Sequence, residues 1–204
     1  MTVKLFHTPM ACSLACCIAA KEGEVPLDIC RVDLGTKDLI DAPGSLFDVN
    51  PLGQVSVLQF DDGTTLTETS VCINWIQAQS KNTSFRIDPE SPKYFPMLRW
   101  LAFCATELHK QIFRVVFYPE ATEEVKQRIR DLAPNRFDVL DKQLESQRFL
   151  LGDDFSAADA YISWALALSD RAKIDPTGYP NLERYRKDVL SRPSVADCIT
   201  ADQS

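Results

Sequence analysis

Cys12 is the residue whose type and position most directly suggest chemistry in this chain. It follows a short apolar run (residues 3–7) and a turn containing Pro9, and it precedes a helix-forming stretch that ends before Gly23. The N-terminus of a helix carries about half a positive charge, which favours a thiolate over a thiol. The position therefore predicts a reactive cysteine of lowered pKa at the edge of a small sheet. The alternative is a buried thiol that only packs.

A second polar group, Glu68, Thr69 and Ser70, separates a short strand from an amphipathic segment, Val71 to Gln79. Hydroxyl side chains at such a junction commonly cap the following helix. The simplest interpretation is that Thr69 or Ser70 is the N-cap residue.

The cysteines do not form a metal-binding pattern. The chain has seven of them and two histidines, His7 and His109, with no CxxC pair and no zinc spacing. We expect no structural metal, and the odd count is typical of free thiols in a reducing cytosol. Cys16 could act as a resolving thiol for Cys12, but packing of the small Cys16 and Cys17 side chains is the favoured interpretation.

Composition excludes several classes of function. The 204 residues carry a net charge of −7 without a basic run, which argues against a nucleic-acid partner. No apolar stretch approaches the length of a membrane span, and the first residues do not resemble a signal peptide. We therefore predict a cytoplasmic globular protein that does not bind membranes.

The first eighty residues predict a β-α-β unit followed by β-β-α. Strands at 3–7 and 27–32 flank a helix at 12–22, so the two strands should be parallel. A strand at 55–60, a hairpin signal at Asp61-Asp62-Gly63 and a strand at 64–67 then lead into the helix at 71–79.

The second half of the chain predicts helices alone. After a polar linker at 81–92, apolar periodicity indicates one long helix at 94–117 and another at 120–145. Ser156 and Asp159 have the spacing of a capping box before a helix that is apolar nearly all round. Pro180 and Pro193 should begin two shorter closing helices.

Several motifs carry a resemblance to a known family. Three of them resemble the cytosolic glutathione S-transferases: Asn50-Pro51-Leu52-Gly53-Gln54-Val55, Leu66-Thr67-Glu68-Thr69, and Leu151-Gly152-Asp153 to Asp159. Two more are similar to the bacterial beta class: Thr8-Pro9-Met10-Ala11-Cys12-Ser13-Leu14 and Glu107-Leu108-His109-Lys110. The resemblance covers essentially the whole chain. It implies an α/β thioredoxin-like N-terminal domain (1–80), a linker (81–92), an all-α C-terminal domain (93–204) and a homodimer.

The resemblance also implies glutathione as co-substrate, without a metal. Cys12 and His109 would be catalytic residues that flank the glutathione sulfur. The implied glutathione-binding residues are Lys37, Gln54, Val55, Glu68 and Thr69. An apolar electrophile would lie against Met10, Phe113, Phe117 and Trp164, although such residues are also common in an ordinary core.

Three features depart from the family pattern: Ser56, His7, and the Cys16 and Cys17 pair described above. Ser56 stands where the family has a cis-proline, so the Val55–Ser56 peptide is either trans, with a different loop, or cis. His7 stands where many beta enzymes have tyrosine. Its imidazole could be a donor beside the sulfur or a polar residue at a strand end.

These features predict an enzyme that conjugates glutathione thiolate to a small apolar electrophile, a detoxification reaction. One alternative is glutathione-dependent thiol–disulfide exchange or deglutathionylation through Cys12. A second is a non-catalytic ligand-binding module on the same scaffold.

Overall fold

A computed structural model describes residues 2–203. The first half contains four strands and two helices: β1 (Lys4–His7), α1 (Leu14–Glu22), β2 (Asp28–Arg31), β3 (Val57–Gln59), β4 (Thr65–Thr67) and α2 (Thr69–Gln79). A single 3₁₀ turn, Leu46–Asp48, interrupts the long connection from β2 to β3. This order confirms the predicted β-α-β and β-β-α units.

The four strands form one mixed sheet in the order β2-β1-β3-β4. β1 pairs with β2 in parallel and with β3 in the antiparallel sense, so that Leu5 lies between Ile29 and Leu58. The hairpin predicted at residues 61–63 joins the antiparallel strands β3 and β4. The sheet is the expected thioredoxin-like arrangement.

The two faces of the sheet are covered differently. α1 and α2 pack against each other and bury Leu14, Ile18, Ile73 and Ile76 in the main core. The opposite face holds a small separate cluster under the β2–β3 connection: Phe6, Val32, Leu46 and Val57. The long connection is thereby fixed beside the ends of β1 and β3.

The second half is helical, as predicted. Its helices are α3 (Tyr94–Phe103), α4 (Arg114–Val116), α5 (Glu123–Arg130), α6 (Ala133–Leu144), α7 (Ala157–Ala172), α8 (Pro180–Leu190) and α9 (Pro193–Gln203). α8 and α9 begin at the two prolines that the sequence indicated. The proposed domain limits themselves stay a prediction.

Two helix predictions need correction. The run from 94 to 117 is continuous, but its middle, Cys104–Phe113, is a π-helix between α3 and α4. The single helix predicted over 120–145 is wrong, because the chain leaves the helix at residues 131–132 and starts α6 with Pro134 in its first turn. Proline lacks an N–H and clashes with the preceding turn, so it favours a new start there.

α7 runs through the centre of the molecule and packs against α1, α3, α8 and the π-helix. Its first turn is held by the predicted capping box. Asp159, which is fully buried, accepts a hydrogen bond from the Ser156 N–H at 2.8 Å. Within residues 2–203, no helix has the length and apolar character to cross a bilayer.

Candidate active site

A cleft opens where the β3–β4 side of the sheet meets the π-helix and α7. It brings together His109 and four of the five predicted glutathione-binding residues: Gln54, Val55, Glu68 and Thr69. The fifth, Lys37, is partly exposed in the β2–β3 connection and does not line the cleft.

The loop before β3 forms one wall of the cleft. The Asn50 side-chain amide donates to the Gln54 carbonyl at 2.7 Å, which closes the turn. Gly53 has φ +56°, and a Cβ there would lie 2.7 Å from the Phe47 ring, so glycine is required. The Val55–Ser56 peptide is cis. This finding decides between the two conformations left open for the serine that replaces the family proline.

The start of α2 forms the floor. The helix begins at Thr69, and Glu68 is the N-cap residue with φ 68°. The expectation that Thr69 or Ser70 caps the helix is therefore wrong. The Thr69 hydroxyl instead lies 3.2 Å from the Ser56 hydroxyl and ties α2 to the cis loop. The first N–H groups of a helix lack intrahelical partners, so this end of α2 suits an anionic group.

Cys12 lies beneath the cleft wall. Its thiol donates to the Val55 carbonyl at 3.2 Å and is 6% exposed, and it does not line the cleft itself. Burial raises the pKa of Cys12 and outweighs the opposing effects of Thr69 and Lys110. The predicted lowering of this pKa is wrong, because α1 begins only at Leu14 and desolvation of the thiolate dominates.

His109 faces the cleft from the π-helix. Its Nδ1 lies 2.8 Å from the Tyr161 hydroxyl. Burial, reinforced by the positive charges of Lys110 and Arg114, lowers the pKa of His109 to about 4. The imidazole is therefore neutral at pH 7.

Lys110 crosses the cleft mouth. Its Nζ donates to Gln54 Oε1 at 3.2 Å, which joins the π-helix to the loop before β3. Its charge acts on both Cys12 and His109.

The predicted electrophile-binding residues lie together, next to the cleft. Trp164 contacts His109 with a centroid distance of 4.7 Å and Phe113 at 5.6 Å, and Phe113 stacks on Phe117. The Trp164 indole donates to the Met10 carbonyl at 3.1 Å. Phe113 and Trp164 are buried and Phe117 is 38% exposed, so the row extends from the core to the surface.

His7 does not lie beside the expected sulfur position. It is buried, with Nδ1 at 2.9 Å from Ser13 Oγ and Nε2 at 2.9 Å from Asp202 Oδ1 on α9. It is a structural residue that connects β1 to the C-terminal helix.

The cleft residues that were not predicted as site residues include Asn50, Lys110 and Tyr161. The first two lie within motifs that the sequence shares with its family, so their spacing could have identified them. Tyr161 lies in the most apolar helix, where nothing local separates a site tyrosine from a core tyrosine.

Comparisons with known proteins agree with this geometry. Residues 9–79 match the glutathione S-transferase N-terminal domain family, and residues 103–193 match the C-terminal domain family. Glutathione S-transferase GstA of Escherichia coli O157:H7 is 31% identical over 200 residues, covering 98% of each chain.

Two solved structures extend the similarity. A sphingomonad glutathione S-transferase complexed with glutathione superposes with a TM-score of 0.90 at 32% identity, covering 98% of each chain. A bacterial beta class enzyme of Sphingomonas chungbukensis gives 0.89 at 33% identity with the same coverage. The chain belongs to the glutathione S-transferase family.

Proposed function

We propose that this protein transfers the thiolate of glutathione to a small apolar electrophile. The observation that carries the proposal is the convergence of Val55, Thr69, His109 and Lys110 on one cleft that adjoins an aromatic row. Polar groups for a charged tripeptide and apolar area for a second substrate are thus adjacent.

The glutamyl end of glutathione fits the start of α2. Its carboxylate would accept hydrogen bonds from the first N–H groups of the helix, and the exposed Glu68 carboxylate would pair with its ammonium group. The cysteinyl unit would pair with the Val55 backbone as an added strand. Cys12 supports this mode, because its thiol holds the Val55 carbonyl in place.

The glutathione sulfur would lie near His109. With the Tyr161 O–H donating to Nδ1, the neutral imidazole keeps its proton on Nε2 and can donate it to a thiolate. The Lys110 ammonium adds a positive charge beside it. Each unit by which these groups lower the thiol pKa is worth about 1.36 kcal/mol. Because the reacting thiolate comes from glutathione, Cys12 acts in this scheme as a positioning residue.

Thiol exchange through Cys12 is the weaker alternative. Exchange requires an accessible thiolate, whereas Cys12 is buried and its pKa is raised. A Cys12→Ala variant separates the two functions. We expect it to retain most of the conjugating activity and to have no thiol exchange activity.

The experiment combines glutathione-resin retention with steady-state conjugation of chlorodinitrobenzene. Glu68→Gln should raise KM for glutathione about tenfold, since a hydrogen bond to a charged group is worth about 1.5–3 kcal/mol. His109→Asn should mainly lower kcat. Glu90→Gln, which changes an exposed carboxylate in the 81–92 segment, is the control. A wild-type protein that neither binds the resin nor gains thermal stability with glutathione would refute the proposal and leave a non-catalytic module.

Dimerisation is typical of the family, and we propose a homodimer through the exposed side of α2 and α3. Asn74 of α2 donates to the Tyr94 hydroxyl at 3.2 Å, so the two helices lie side by side. They expose Val71 (45%) and Phe95 (75%). The odd cysteine count supports a cytoplasmic location, where thiols stay reduced.

A further inference from the structure

α9 returns from the C-terminal end to pack antiparallel along α1. Arg192 binds Glu22, and Lys21 binds Asp197 at 2.6 Å. At the far end, Asp202 accepts the Met10 N–H at 2.7 Å. Residues 192, 197 and 202 thus contact residues 22, 21 and 10 in turn, which is the order expected for antiparallel packing.

Two cysteines, one on each of these packed helices, lie near enough for a charge on Cys198 to act on Cys17. Cys17 on α1 and Cys198 on α9 lie between the Lys21–Asp197 pair and the Asp202 contacts, and each is partly exposed. Both line one cavity of about 830 Å³. Ala20 and Ala201 line it too, and their small side chains leave room between the two helices.

A base lies beside one of the two thiols. His7, which also connects β1 to α9, has Nδ1 at 2.9 Å from Ser13 Oγ and at 3.7 Å from Cys17 Sγ. Its other ring nitrogen is bound to Asp202. The order thiol, imidazole, carboxylate allows His7 to take a proton from Cys17 while Asp202 stabilises the resulting charge.

We propose that Cys17 and Cys198 form a dithiol redox site, which glutathione disulfide oxidises reversibly to an α1–α9 disulfide. The cavity gives a small peptide disulfide access to both sulfurs. The site is separate from the glutathione-transfer cleft and does not depend on the proposed transferase function.

The reaction balances as two thiol–disulfide exchanges. The Cys198 thiolate attacks one sulfur of glutathione disulfide, forms a mixed disulfide and displaces one glutathione thiolate, which takes up a proton. Cys17 then gives its proton to His7 and attacks Cys198 Sγ, which expels the second glutathione as a thiolate. The proton passes from His7 to this thiolate, so His7 returns to its starting state. Two electrons pass from the protein thiols to glutathione disulfide, so the products are one protein disulfide and two glutathione molecules.

The other neighbouring cysteines lack this access. Cys16 lies against Cys72, and Cys104 lies near Cys12, but all four are at most 6% exposed. An incoming disulfide cannot reach them without unfolding the core. In contrast, Cys17 and Cys198 are both partly exposed, and both line the same open cavity.

The surroundings set the pH dependence of the reaction. Burial, followed by Cys198 and Asp202, raises the pKa of Cys17. Burial also raises the pKa of Cys198 to about 11, against the lowering effect of Lys21 and together with the raising effects of Asp202 and Asp197. Both thiols are protonated at neutral pH, so oxidation accelerates as pH rises. Cys198 attacks first because its pKa is raised less than the pKa of Cys17.

The turn that precedes α1 is tied to both α9 and α7. Asp202 on α9 accepts the Met10 N–H, and the Met10 carbonyl accepts from Trp164 on α7.

The test is non-reducing peptide mapping of the full chain after incubation with glutathione disulfide and alkylation of the remaining thiols. We expect the loss of two hydrogens and a cross-link between the peptides that contain Cys17 and Cys198, reversed by a reducing agent. Cys17→Ser and Cys198→Ser should each abolish the cross-link, whereas Cys12→Ala and Cys30→Ser should retain it. Cys30 is the matched control, since it is also partly exposed.

Three results would overturn the proposal. One is a cross-link that survives in Cys17→Ser, because Cys12 and Cys16 share its peptide. The second is a stable glutathione adduct on Cys198 without closure to Cys17. The third is oxidation of Cys30 alone. None of these would affect glutathione conjugation at the cleft, so the two proposals fail independently.

Discussion

At the scale of single residues, burial decides what each ionisable group of the cleft can do. Cys12 occupies the position that the sequence indicates, but its pKa is raised, whereas the sequence predicted a lowered pKa. The position of Cys12 before a helix was visible in the sequence, whereas the burial of its thiol results from tertiary packing, including the Val55 loop that follows 43 residues later. Local sequence therefore located the residue and could not predict its pKa.

His109 gives a residue-scale prediction on stability. Its pKa is about 4 in the folded chain and about 6.5 when unfolded, so between these values the unfolded state binds more protons. The free energy of unfolding should thus fall as pH drops from 6.5 towards 4, by up to about 1.4 kcal/mol per pH unit from this group. Above pH 6.5 His109 is neutral in both states, so it no longer makes the free energy of unfolding depend on pH.

The measurement is chemical denaturation of the wild type and of His109→Asn at several pH values. Asparagine offers an oxygen to the Tyr161 hydroxyl and does not titrate. The difference between the two stabilities should change across pH 4–6.5 and stay constant above it. Parallel curves over the whole range would show that His109 is not held neutral by burial.

At the scale of elements, the sequence predicted those helix starts that are set by residues within the first turn of the helix. The Ser156–Asp159 spacing predicted the start of α7, and Pro180 and Pro193 predicted two further starts. The break at residues 131–132 was signalled by Pro134, although apolar periodicity concealed it. The π-helix that carries His109 has no such signal, because neither proline nor glycine marks its ends at Cys104 and Phe113.

The capping box gives the element-scale prediction. Asp159 accepts hydrogen bonds from the Leu150 N–H at 3.0 Å, the Ser156 N–H and the Tyr185 hydroxyl at 2.7 Å, all within the core. Asp159→Ala leaves these buried donors without a partner, at about 1–3 kcal/mol each. We expect a loss of roughly 3–5 kcal/mol in the free energy of unfolding.

Denaturant titration checks this value. Asp153→Ala, which removes an exposed carboxylate from the same loop, should change stability by less than about 0.5 kcal/mol. Tyr185→Phe should cost about 1 kcal/mol, because it removes one bond and leaves those from Leu150 and Ser156 in place. If Asp159→Ala were no worse than Tyr185→Phe, the carboxylate would not organise the start of α7.

At the scale of the whole molecule, the sequence predicted two halves and their order but not how the chain end returns. Asp202 binds His7 across 195 residues, and neither residue has a local pattern that indicates the contact. Such pairings are decided by how the two halves pack, so they appear only in the folded structure. The cysteine pair on α1 and α9 was invisible for the same reason.

The assembly is the last property at this scale, and Phe95 tests it. A phenyl ring that is 75% exposed is costly in a monomer but can be buried in an interface with a second copy. In a two-fold dimer a substitution acts twice, and burying each ring is worth about 1.5–3 kcal/mol. Phe95→Asp should therefore weaken dimerisation by roughly 3–6 kcal/mol, a factor of about 10²–10⁴ in Kd.

Light scattering coupled to size exclusion measures the outcome over a dilution series. The wild type should elute with twice the mass of one chain, and Phe95→Asp with the mass of one. Ile40→Asp, which places the same charge on an exposed apolar residue of the β2–β3 connection, should remain dimeric. If Phe95→Asp were still dimeric, the interface would not be formed by α2 and α3. If the wild type were monomeric, the proposed homodimer would be excluded at these concentrations.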